Sequence, residues 1–256
     1  MRPDILTLSR FYRSPLGCEV AASMAACLVR RWGSLVGLHC AGVGYPVPLF
    51  ARFGQEAASR ILLMPAAQGV MRWPEEGRNA AALVEESAWP LPPSSIDRLV
   101  CLHALESADD LAGLLREVWR VLTPAGRAIF FVPRRRSLWS GAEKTPFGHG
   151  RPFSRHQLDQ LLATHLLAPR EAETLLFFPP WRRGVPRAAQ YLERFGRAAR
   201  LPIGGLLAIE AQKQVFGALA DRVTRPLVRR QAIAGPVAEA RFFARTGRVE
   251  RRPPAA

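Results

Sequence analysis

Short apolar runs punctuate this chain at intervals that leave room for helices between them. They are LVGLHCAGV at 35–43, SRILLM at 59–64, AALVEE at 81–86, IDRLVCL at 96–102 and GRAIFFVP at 126–133. The first carries no polar alternation, as expected of a strand buried on both faces of a parallel sheet. The segments between are helical in pattern. Residues 15–31 place Pro15 in a first turn and repeat Val20, Met24 and Leu28 at helical spacing. Residues 48–57 suit a short helix. Residues 109–122 are the clearest helix, with an apolar stripe of Leu111, Leu114, Leu115, Val118 and Leu122, acids at the start, and Pro124 and Gly126 beyond the end. Strands alternating with helices in this way predict βαβ units and an α/β, doubly wound, mostly parallel sheet. Two later runs, 171–180 and 205–214, flank a basic helix at 186–200 and are expected to add an antiparallel hairpin. A Ser154/Gln157 capping box opens a further helix at 154–162.

The 256 residues, 48% of them hydrophobic, suit one sizeable core rather than two domains. The expected organisation is an N-terminal arm and helix at 1–34, with 1–14 loosely ordered, a main domain at 35–214, and a basic tail at 215–256. No run reaches the roughly 18 apolar residues needed to span a bilayer. The N-terminus lacks the layout of a secretory signal, so the expected location is cytoplasmic. The four cysteines form no C-x-x-C pair and no zinc-like cluster, so neither a structural metal nor a disulfide is expected. The net charge is +15, and arginine supplies nearly all of the positive charge. Either the arginines reflect an Ala/Arg/Pro-rich composition, or they form a surface for an anionic partner. The segment 221–256, with nine arginines and three acids, is one candidate.

Ligands in open α/β sheets bind beyond the carboxyl ends of the strands, which directs attention to the loops after each apolar run. The first is AGVGYPVP at 41–48, where Gly42 and Gly44 suit either a tight turn or close backbone approach by a ligand. More specific are WPLPPSSIDRLVCLHALES, 89–107, and LLREVWRVLTPAGRAIFFVP, 114–133. With Trp89/Pro90, Asp97, Arg120–Leu122, Pro124, Gly126 and Pro133, these resemble the class I methyltransferases of the small-molecule type. PFSRHQLDQLL, 152–162, resembles that family's helix after the substrate loop. LMPAAQGV and TPFGHGRPFS look similar to bacterial methyltransferase-like proteins.

The resemblance implies a seven-stranded Rossmann-like sheet, with S-adenosylmethionine lying across the strand ends and no metal required. It implies in-line transfer of a methyl group to an acceptor that the sequence does not identify. The glycine loop has two registers. One places Leu38 and Cys40 at the family's acid and first glycine. The other ends the strand at Gly42 and makes Tyr45, Pro46 and Pro48 the cofactor loop; it is preferred because it keeps more of the strand apolar. The acid that normally binds the ribose falls on Leu63 or Met64, so a carboxylate is missing there. Glu85 aligns with the acid after the third strand, followed by Glu86. His103 follows the fourth strand. The expected cofactor contacts are therefore Gly42, Gly44, Tyr45, Met64, Glu85, Glu86 and His103. The loop 134–154 contributes His149 as a candidate general base. Arg134, Phe147 and Arg151 are its candidate substrate contacts, with Arg134 and Arg151 suited to an anion.

Two functions compete on this reading: methyl transfer, or the same fold kept as a basic protein- or RNA-binding module without catalysis. A dinucleotide oxidoreductase is disfavoured because Val47 stands where a G-x-G-x-x-G pattern needs its third glycine. If that strand-end rim is plugged by side chains such as Met64 and Tyr45, the catalytic reading fails and an architecture without its reaction remains.

Overall fold

The computed structural model describes residues 2–181, 188–199, 201 and 203–215. The expected tail at 215–256 lies outside them but for its first residue. The element order is α1 (Ile5–Arg13), α2 (Pro15–Trp32), β1 (His39–Gly44), α3 (Val47–Phe50), β2 (Ser59–Pro65), β3 (Ala81–Val84), β4 (Ile96–Leu102), α4 (Leu111–Val121), β5 (Leu122–Pro133), α5 (Arg155–Thr164), β6 (Leu167–Leu175), α6 (Ala188–Ala198) and β7 (Leu206–Lys213). The strands form one seven-stranded sheet in the order β3-β2-β1-β4-β5-β7-β6. β3, β2, β1, β4 and β5 run parallel, while β7 is antiparallel to both β5 and β6. The mostly parallel, doubly wound architecture is the one the sequence predicts.

The apolar runs lack alternation because both faces of the sheet are covered. Val100, Leu102, Ile129 and Phe131 join a core with α1 and α2. Their neighbours Leu99, Cys101, Ala128, Phe130 and Val132 join a second core with α4 and α5. No helix among the described residues is long and apolar enough to cross a membrane.

Three elements depart from expectation. Residues 5–13 form a helix, not a loose arm: Asp4 caps it by accepting from the Thr7 amide at 2.8 Å, and Ile5, Leu8 and Tyr12 are buried along one face. β1 starts at His39 because Gly33 and Gly37 take left-handed φ values of 59° and 75°, and a turn from Leu35 to Leu38 precedes it. It also runs on to Gly44, past the predicted stop at Gly42. The predicted helix at 48–57 is only the four residues Val47–Phe50, and Gly54, with φ at 75°, lies in the turn that follows.

The segments that carry the family resemblance are structural ties. Glu117 accepts from the Trp89 amide at 2.8 Å and from Arg120 Nε and Nη2 at 2.7 Å each. Arg120 also donates to the Leu91 and Trp89 carbonyls, which pins the proline-rich turn to α4. Asp97 accepts from the His39 amide at 2.9 Å and from the Thr123 hydroxyl at 3.2 Å, joining the starts of β1, β4 and β5.

Candidate functional site

The carboxyl ends of the parallel strands gather Gly44, Met64 and His103, and α1 lies against them. Gly44 has φ 85°, and a Cβ there would fall 2.1 Å from the Leu102 carbonyl oxygen. Glycine is needed because β1 and β4 approach closely at this point. The Tyr45 amide donates to that same carbonyl at 2.8 Å. At Gly42 a Cβ would lie 2.3 Å from Pro46 Cγ. The free space beside both glycines is thus taken by the protein's own backbone and loop.

Tyr45 and Met64 are 2% and 0% exposed. Tyr12, from α1, stacks over Tyr45 with ring centroids 5.7 Å apart. Its hydroxyl bonds His103 Nε2 at 2.8 Å, and His103 Nδ1 bonds Glu106 Oε1 at 3.1 Å. His103 takes φ 55°, an uncommon conformation for a residue with a side chain. Burial, then the charge of Glu106, pushes the Tyr12 phenol well above its usual range, so it stays protonated. The second oxygen of Glu106, Oε2, is buried without a partner among the described residues. Gln68 donates to the Gly44 carbonyl at 3.1 Å, and its own Oε1 is likewise unpartnered. The Ile5 amide donates to the Gln68 backbone carbonyl at 2.9 Å.

Of the remaining sequence candidates, Glu86 pairs with Arg2, and its Oε2 accepts from the amides of Asp109 and Asp110 at 2.9 Å each. Glu85 is exposed and faces a shallow hollow with Ser87, Trp89 and Pro90. Phe147 is 1% exposed and packs 4.8 Å from the His103 ring, so as placed it offers no surface to a substrate. His149 stands apart from this cluster. It lines a cavity of about 610 Å³ with Arg10, Phe11, Lys144 and Trp181, between α1, the start of α2 and the 134–153 loop. Arg151 is exposed at a cavity of about 410 Å³ beside Arg2 and Glu106. Its amide donates to the Glu106 carbonyl, and Gly150 permits that approach because a Cβ would fall 2.6 Å from the same oxygen. Arg134 is half-buried at the end of β5, with its amide on the Gly205 carbonyl. β2 ends in Leu63, Met64 and Pro65, and no carboxylate stands there.

Tyr12, Gln68 and Glu106 are the participants that sequence reasoning missed. Glu106 carried one local signal, its position three residues after His103. Tyr12 carried none that linked it to a strand 91 residues away.

Residues 40–130 match the methyltransferase-domain family. This span runs from β1 to β5 and so contains the strand ends just described. No curated protein matches the chain. Among solved structures, a S-adenosylmethionine-dependent methyltransferase from Thermotoga maritima, described as a possible histamine N-methyltransferase, is 18% identical over 80% of this chain and 94% of its own, with a TM-score of 0.53. The geranyl diphosphate C-methyltransferase of Streptomyces coelicolor, solved with S-adenosylhomocysteine, is 15% identical over 77% and 82%, with a TM-score of 0.55. A Mesorhizobium loti S-adenosylmethionine-dependent methyltransferase is 18% identical over 75% and 100%, with a TM-score of 0.52. A methyltransferase-domain match over residues 40–130, about a third of the chain, thus sits inside a sheet whose fold is that of S-adenosylmethionine-dependent methyltransferases of known structure.

Proposed function

We propose that this protein transfers a methyl group from S-adenosylmethionine to an acceptor whose identity is open. The supporting observation is that the matched domain coincides with β1–β5, whose ends bring Gly44, Met64 and His103 to one rim. In this reading the cofactor lies across that rim. It is the methyl donor, and the protein positions donor and acceptor.

The residues present do not fit the cofactor in the arrangement described. Tyr12 and Tyr45 fill the rim, and no carboxylate follows β2 to bind the ribose. A second reading rests on the same two facts: a methyltransferase fold kept without its reaction, as a basic protein- or RNA-binding module.

Calorimetric titration with S-adenosylmethionine and S-adenosylhomocysteine separates the two. Dissociation constants in the micromolar range are expected. Loss of the charge-assisted ribose contact weakens binding by about 1.5–3 kcal/mol, roughly ten- to hundredfold, without abolishing it. No heat from either ligand at millimolar concentration would leave only the second reading.

A further inference from the structure

We infer that α1 is a self-occupying latch: its residues close the rim where the cofactor belongs, and binding requires the helix to leave. The inference rests on the methyltransferase reading of that rim.

Three ties hold the helix and the residues before it along the strand ends. Arg2 pairs with Glu86 beyond β3 and donates to the Ser107 carbonyl at 2.6 Å. The Ile5 amide is bound to the Gln68 carbonyl beyond β2. Tyr12 reaches His103 beyond β4 and covers Tyr45 beyond β1. One short segment therefore contacts the loops after four adjacent parallel strands, the same loops a nucleoside ligand of this fold would touch. A nine-residue helix is too short to be stable alone in water, so its order depends on these contacts. The closed state also leaves Glu106 Oε2 and Gln68 Oε1 buried without partners among the described residues. Such groups carry a desolvation cost, which lowers the barrier to opening relative to a fully satisfied interface. When only a fraction of molecules is open, the apparent dissociation constant rises by the inverse of that fraction.

The test is S-adenosylhomocysteine binding by the full-length protein and by Tyr12→Phe and Arg2→Ala, together with hydrogen exchange of the 5–13 amides. Tyr12→Phe leaves His103 Nε2 without its partner only in the closed state, so opening becomes easier. The expected result is binding roughly five- to tenfold tighter for Tyr12→Phe, with a smaller gain for Arg2→Ala. Ligand is expected to speed exchange in 5–13. Binding of equal strength in all three proteins, with exchange in 5–13 unchanged or slowed, overturns the latch and leaves the methyltransferase reading standing. No binding by any of them overturns that reading and the latch with it.

Discussion

Two buried glutamates, Glu117 and Glu106, are placed on opposite terms. Glu117 has both oxygens engaged, by a backbone amide and by the guanidinium of Arg120. Glu106 has one oxygen on His103 and, among the described residues, no partner for the other. The first belongs to a region tied over short sequence distances, the proline-rich turn and α4. The second belongs to a rim assembled from α1, the loop after β4 and the 134–153 segment. A satisfied carboxylate fixes a structure, whereas a half-satisfied one marks a place where the arrangement has an alternative.

The largest expected effect is Glu117→Ala. It orphans the Trp89 amide and leaves Arg120 its two carbonyl partners but no carboxylate. The expected loss is about 2–3 kcal/mol by urea denaturation, below the full range for a buried pair because Arg120 is about a third exposed. Affinity for S-adenosylhomocysteine should not change. Glu106→Gln should cost less, about 1 kcal/mol, since it replaces a single hydrogen bond and the second oxygen has no partner to lose. Equal losses in the two variants would erase the contrast between the regions. The smallest effect is on pH dependence. The side-chain hydrogen bond from Arg120, helped by the Trp89 amide and opposed by burial, holds the Glu117 carboxyl below its usual value. A depressed folded-state value stabilises the protein above the ordinary carboxylate range, and this is lost as pH falls through the depressed value. The stability gap between the native protein and Glu117→Gln, measured at pH 7 and again near pH 3, should therefore narrow on acidification.

The sheet was legible because its strands are bounded apolar runs, and residues 59–65 and 96–102 stand within a residue of where the sequence puts them. Helix α4 was legible from its stripe and its caps. The rim was not. Helix α1 shows Ile5, Leu8 and Tyr12 at helical spacing behind Asp4, but over nine residues that pattern is weak, and Ser14-Pro15 reads as a break. The glycines of the first loop were equally ambiguous. A glycine that admits a ligand and one that admits a neighbouring carbonyl look alike in sequence, and at Gly44 the neighbour is the Leu102 carbonyl. His149 appeared central because its loop is distinctive, yet Gly150 and Phe147 anchor that loop against Glu106 and His103 while His149 faces a separate cavity.

The position of β7 between β5 and β6 has a consequence for how the chain is made. Among the described residues β6 borders no strand except β7, which is synthesised after it. As the nascent chain leaves the ribosome, β6 emerges with no partner, and the open edge of β5 waits with it for a time on the order of seconds at ordinary elongation rates. Completion of the sheet therefore waits for β7, and a chain truncated before residue 206 would expose two unpaired edges to its neighbours.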